Sequence, residues 1–217
     1  MPKYQSVIFD FDGTLVDSAP GIIKTFEALI QKEGLKQLSR RELAAMVGPP
    51  LHLSIPEVFG ISSEAEVNRL VNAYRAIYAE IALPSLAAFP GAMEMLRALR
   101  EAGVYTGVAS CKIRHVCASQ ATTLGLAPYL CCICGAVPQE GLLEKADILR
   151  QAIAASRVSR ENTVVVGDRM YDMRGAQLVG IPAIGVIYGS GSREELLPYA
   201  PLAIVEDIPA LAKLLLM

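Results

Sequence analysis

The sequence predicts an α/β fold in which a parallel sheet is covered by helices on both faces and carries an inserted all-helical segment. Three observations predict it. Short apolar runs of strand length recur at Ser6 to Phe9, Val104 to Ala109, Cys131 to Cys134, Thr163 to Val166 and Ala183 to Ile187, rich in β-branched or small apolar residues. Stretches of helical spacing around 114–125, 144–156 and 170–179 separate the later runs, and strands alternating with helices build a parallel sheet buried on both faces. The interval from Val16 to Phe89 breaks this rhythm, because it holds helical segments and no strand-like run.

Taken in order, the first strand runs into Asp10, and the insertion follows with helices near 20–33, 40–47 and 64–82. The third is the clearest. Val67, Leu70, Val71, Tyr74, Ile77, Tyr78 and Ile81 recur at the i, i+3, i+4, i+7 spacing of a buried helical stripe, and Ser63 with Glu66 has the spacing of a capping box. Pro84 and Pro90-Gly91 punctuate the return, and a helix starting near Ala92 leads into the second core strand. The expected domains are a core of 1–15 and 90–217 and a helical insertion of 16–89.

A chain of 217 residues can bury a sizeable core. Its 20 basic and 22 acidic side chains leave no dominant field, and no basic stripe points to nucleic acid. No segment reaches the roughly 18 consecutive apolar residues of a membrane span, and the apolar run before Asp10 is shorter than expected of a signal peptide. A cytoplasmic location is expected. Cys131-Cys132-Ile133-Cys134 invites a zinc reading. Adjacent strand residues point to opposite faces, however, so the run reads as a buried strand using Cys as a small hydrophobe.

The chemistry concentrates at Val7-Ile8-Phe9-Asp10-Phe11-Asp12-Gly13-Thr14. An apolar strand ends abruptly in two acids spaced i, i+2, then a glycine and a hydroxyl. Burying carboxylates there is costly unless a cation or hydrogen bonds compensate them. In an open parallel sheet the carboxyl ends of neighbouring strands share one crevice, so residues far apart in sequence can meet beside Asp10.

At this string the chain resembles the haloacid dehalogenase-like (HAD) superfamily, whose first motif is Asp-x-Asp-x-Thr after an apolar strand. Three further motifs follow in order: Ser110 within Val108-Ala109-Ser110-Cys111-Lys112, then Lys145, then Gly167-Asp168-Arg169-Met170-Tyr171-Asp172. The resemblance covers the whole chain and implies a Rossmann-like core. It also implies a phosphatase in which Asp10 attacks phosphorus and forms an aspartyl phosphate, while Asp12 serves as general acid and base. The presence of Asp12 sets the chain apart from the family's dehalogenase branch. Magnesium is the implied cofactor, with Asp10, Asp168 and the main-chain carbonyl of Asp12 as ligands and Asp172 acting through a water or a hydrogen bond. Ser110, Thr14 and Lys145 are the implied phosphate-binding residues, with Lys112 a rival cation to Lys145.

The insertion has the position and size of the family's first (C1) type of cap, where substrate choice is expected to reside. Gly48-Pro49-Pro50-Leu51-His52 resembles a loop that subgroup members point toward the active site, and His52, Arg75 and Lys24 are candidate substrate contacts. Within the superfamily the chain looks nearest to the phosphoglycolate phosphatase-like and 5′-nucleotidase-like group. The implied partner is a small phosphorylated metabolite, with no nucleic acid or membrane, acted on by a monomer or weak homodimer. Two alternatives use the same core: a phosphomutase acting on a sugar phosphate, and a non-catalytic binding module.

Overall fold

The structure, a computed structural model, describes residues 2–82 and 85–217; Met1, Leu83 and Pro84 lie outside the described residues, and with them one of the turn signals read above. The chain divides into two compact units, 1–16 with 88–217 and Asp17–Ala87. Its strands are β1 (Ser6–Phe9), β2 (Val16–Asp17), β3 (Ala87–Ala88), β4 (Tyr105–Ile113), β5 (Cys132–Ala136), β6 (Thr163–Gly167), β7 (Ala183–Val186) and β8 (Ala203–Val205).

Six of these form one parallel sheet in the order β5-β4-β1-β6-β7-β8, while β2 and β3 pair with each other. Strand β1 lies in the interior between β4 and β6, which is why Val7, Ile8 and Phe9 form an uninterrupted apolar run with no exposed surface. In register, Phe9 stands opposite Val108 of β4 and Val166 of β6. The chain builds outward from β1 to β4 and β5, then returns to its other side at β6, and the reversal of order places the crevice at these strand ends.

Helices of the first unit are α5 (Ala92–Glu101), α6 (Arg114–Thr123), α7 (Lys145–Ser156), α8 (Met170–Val179), α9 (Arg193–Leu196) and α10 (Ile208–Leu216). Its core includes Ile8, Ile148, Leu149, Val165 and Ala176, where α7 and α8 cover the sheet. One irregularity matters for the site. Between β4 and β5 the register runs from Ser110 opposite Gly135 to Ile113 opposite Ala136, so Cys111 and Lys112 bulge out of the ladder. A bulge of this kind re-aims side chains at a strand end.

The second unit contains α1 (Ala19–Glu33), α2 (Arg40–Ala45), α3 (Leu51–Phe59) and α4 (Glu64–Ile81). Phe26, Leu29, Ile55 and Leu70 are fully buried at its centre. On α4, Ser63 Oγ accepts from the Glu66 amide, but the Glu66 carboxylate goes to Arg69 instead of returning to Ser63. A reciprocal capping box instead begins α2, between Ser39 and Glu42. Helix α3 was not expected; three prolines in and before it (Pro49, Pro50, Pro56) disguise a helix whose buried positions are Ser54 and Ile55. Strand β8 was not expected either, because it has three residues and a half-exposed sheet-edge position.

Candidate active site

Each acid of the site is placed by a strand end. Asp10 follows β1, with its amide bonded to Val166 O at 2.8 Å. Asp168 follows β6, and Asp172 occupies the first turn of α8, where its carboxylate accepts from the Arg169 amide at 3.0 Å. Asp10, Asp168 and Asp172 are all buried, and one oxygen of each lies within 4.8 Å of the others.

One ammonium answers them. Lys145 Nζ is 2.6 Å from Asp10 Oδ1, 2.6 Å from Asp172 Oδ1 and 2.6 Å from Ala109 O. A lysine in the first turn of a helix sits against the positive end of the dipole, and here the two acids compensate it. Its stem passes Gly175, where a Cβ would stand 2.9 Å from Lys145 Cγ.

The charge balance is incomplete, since three buried carboxylates face one buried cation. Asp168 Oδ2 accepts from the Ser190 amide at 2.7 Å, but Oδ1 is buried without a hydrogen-bond partner. Burial pushes the Asp10 carboxyl up to about 7 against the pull of Lys145, with Asp172 adding to the rise. Burial, then Asp172 and Asp10, hold Asp168 well above the carboxylate range. Burial opposes the Lys145 charge too, but Asp10 and Asp172 outweigh it and keep the ammonium protonated above its usual range. Oxygen donors around an orphaned carboxylate oxygen fit a hard divalent cation such as Mg²⁺, which would relieve the repulsion that burial alone leaves unanswered.

Asp12 stands apart from this cluster. Its carboxylate accepts from Lys112 Nζ at 2.8 Å and 3.1 Å. The two rival lysines therefore have different partners, Lys145 on Asp10 and Asp172 and Lys112 on Asp12. Ser110 at the end of β4 is buried, and its Oγ accepts from the Lys112 amide at 3.3 Å. Thr14 is buried, with its hydroxyl unpartnered and its carbonyl accepting from the Tyr188 hydroxyl at 2.8 Å.

The remaining candidates lie in the second unit. His52 is half-buried on α3, Lys24 is exposed on α1, and Arg75 is half-buried on α4 with its Nε buried and unpartnered.

A family model described as haloacid dehalogenase-like hydrolase matches residues 7–186, a span that contains every acid of the cluster. The chain belongs to the haloacid dehalogenase-like hydrolase family. This hydrolase is 29% identical over 213 residues to a 5′-nucleotidase of Pseudomonas aeruginosa, covering 98% of the chain and 96% of the relative. It is 34% identical over 187 residues to a tyrosine-protein kinase, PtkA, of Mycobacterium tuberculosis, covering 86% of the chain but 63% of that longer protein. Among solved structures, a predicted phosphatase from Clostridium acetobutylicum matches with a TM-score of 0.91 and 31% identity, covering 97% of each chain. The chain is an enzyme, and family and relatives place it among the phosphatases.

The hydrolase also uses a segment to which the sequence reading assigned no site role. The loop after β7, Tyr188-Gly189-Ser190-Gly191, gives Asp168 its amide donor and ties Thr14 through the Tyr188 hydroxyl. A methyl on Gly189 would collide with Gly13 O and the Asp168 side chain, and one on Gly191 with Asp168 O. Glu195 of α9 accepts from Arg169 Nε at 2.9 Å and the Met170 amide at 2.8 Å, holding the start of α8. The available signal was two glycines flanking a serine just past a strand end, a place where backbones approach closely. Among the described residues no helix is long and apolar enough to cross a membrane.

Proposed function

We propose that this hydrolase cleaves a small-molecule phosphate monoester through a covalent phosphoryl-enzyme on Asp10. The observation that carries the reading is the buried Asp10–Lys145–Asp172 contact beside an orphaned Asp168 oxygen, a site whose excess negative charge suits a cation that would in turn admit a phosphate.

Asp10 is the nucleophile. Its Oδ attacks phosphorus while the bond from phosphorus to the ester oxygen breaks, and the proton of Asp12 passes to that oxygen to release the alcohol. Asp12, now a carboxylate, accepts a proton from a water whose oxygen attacks the aspartyl phosphate; inorganic phosphate leaves and Asp10 is restored. Ser110, Thr14 and Lys145 are assigned to the phosphate oxygens, where fixed donors stabilise the transferring group. Asp10, Asp168 and the Asp12 carbonyl would hold Mg²⁺, with Asp172 orienting from Lys145 and the Arg169 amide. When bound, Mg²⁺ offsets the repulsion between phosphate and carboxylates and polarises the phosphoryl group.

We assign substrate choice to the helical unit, with His52 and Arg75 as its candidates; the unpartnered Arg75 Nε suits an anionic group on the substrate. Phosphoglycolate and nucleoside monophosphates are the first compounds to try.

The test is phosphate release from a panel of phosphoglycolate, nucleoside monophosphates and sugar phosphates, with Mg²⁺ and again with a chelator. Metal-dependent release supports the reading. An isomerised sugar phosphate without free phosphate, or transfer from ATP to a tyrosine without release, would replace it with a phosphotransferase.

A further inference from the structure

To deliver its proton, the Asp12 carboxyl must be aimed at the ester oxygen. Lys112 is the group in place. It reaches Asp12 because Cys111 and Lys112 bulge from β4, and the bulge requires Gly135 on the partner strand: a Cβ there would lie 2.7 Å from Lys112 O and 2.7 Å from Arg114 Cα. The Lys112 backbone is further fixed by its amide bond to Ser110 Oγ, and its ammonium lies 5.8 Å from the centre of the buried Phe11 ring. Strand bulge, facing glycine, serine and aromatic ring together aim one half-buried ammonium at both oxygens of one carboxylate.

We propose that Lys112 is a positioning residue for leaving-group protonation, orienting Asp12 toward the ester oxygen and stabilising the negative charge that Asp12 acquires as its proton departs. The inference rests on the hydrolase reading and separates Lys112 from phosphate binding. Electrostatic help of this kind is greatest where charge develops, which is in the transition state of the first transfer.

Leaving-group dependence tests it. p-Nitrophenyl phosphate expels a stable anion and needs little acid assistance, whereas an alkyl phosphate such as glycerol phosphate needs the proton. The quantity to compare is kcat/KM, which reports the first phosphoryl transfer. In Lys112→Met, the alkyl ester should lose about a hundredfold, the lower end of typical general-acid contributions, while p-nitrophenyl phosphate loses far less. Asp12→Asn should show the same selectivity, and adding Lys112→Met to it should cost the alkyl ester little more, because the two residues act as a unit. Equal losses on both esters, or losses that multiply in the double variant, would instead make Lys112 a phosphate-binding cation and overturn the proposal; so would no loss on either. If the methionine variant is insoluble, Lys112→Gln, which keeps a hydrogen-bond donor, carries the same comparison. Absence of phosphate release by the wild-type enzyme from every monoester would instead defeat the hydrolase reading itself.

Discussion

Lys145 Nζ lies 2.6 Å from Asp10 Oδ1, a pair formed across 135 residues of sequence by the first strand of the sheet and the first turn of α7. The same ammonium reaches Asp172 and the Ala109 carbonyl, so one side chain ties the end of β1, the middle of β4 and the first turn of α8 together.

Replacing Lys145 by Met should therefore damage both stability and turnover. Removing one partner of a buried ion pair leaves the other uncompensated and typically costs about 3–5 kcal/mol. The loss should be smaller at pH 5 than at pH 8, since the stranded acids can take up protons at the lower pH. Chemical denaturation at the two pH values measures it, and a loss independent of pH would contradict the charge-balance argument. Phosphate release should fall by at least about a hundredfold, the scale on which fixed charges act in phosphoryl transfer.

The raised Asp10 and Asp168 carboxyls set a pH dependence for the metal-free protein. A carboxyl raised in the fold favours the native state when protonated. Its penalty is absent below the unfolded value of 3.8 and grows as pH rises toward about 7 for Asp10, with Asp168 acting in the same direction. Lys145 stays charged across that window. A divalent cation bound there would replace those protons, so the rise in Tm on adding Mg²⁺ should be larger at pH 8 than at pH 5. Thermal melts with EDTA and with Mg²⁺ at both values decide it; an equal or larger gain at pH 5 would show that the cation does not compete with those protons.

Gly189 supplies a sharper test of the loop after β7. Its backbone φ is not positive, so the left-handed penalty on alanine does not arise there. The added methyl instead meets Gly13 O and the Asp168 carboxylate. Gly189→Ala should raise the Mg²⁺ concentration needed for half-maximal activity by about tenfold or more, the range for lost outer support of a metal ligand. A Mg²⁺ titration of activity reads the shift; an unchanged half-maximal concentration with reduced kcat would assign the loop to a step other than metal binding.

These residues differ in how legible they were. Asp10 announced itself because an apolar run with no exposed residue cannot end in two acids without a reason, and the helix pattern of α4 carried straight into buried Val67, Leu70 and Tyr74. Ser110 and Asp168 were legible through their resemblance to the family's motifs, and the parallel-sheet expectation then explained why they end on strands neighbouring that of Asp10. The partner of Lys112 did not, because it depends on a register slip between β4 and β5 that no periodicity encodes. Ser190 and Tyr188 act through an amide and a contact with a main-chain carbonyl, and backbone groups leave no side-chain signature. The short edge strand β8 and the proline-bearing α3 escaped for the opposite reason, having too few patterned residues to outweigh their turn signals.

Asp10→Asn joins the two sides of the site, since the residue proposed as nucleophile is also one the metal-free fold must strain to keep ionised. Asparagine has the same shape, its carbonyl oxygen can still accept from Lys145, and it carries no charge to desolvate. Turnover should fall below detection because an amide oxygen cannot serve as the attacking carboxylate. The metal-free variant should nonetheless melt no lower than the wild type at pH 8, where the wild-type Asp10 penalty is largest, and the difference between them should shrink toward pH 5. In Mg²⁺ the order should reverse, because the wild type gains a ligand charge that the variant lacks. Paired melts with and without Mg²⁺, alongside phosphate release, read all of this in one protein preparation. Retained turnover would sink the covalent mechanism, and a variant much less stable than the wild type in EDTA at pH 8 would show that the Lys145 contact outweighs the cost of burying the Asp10 charge.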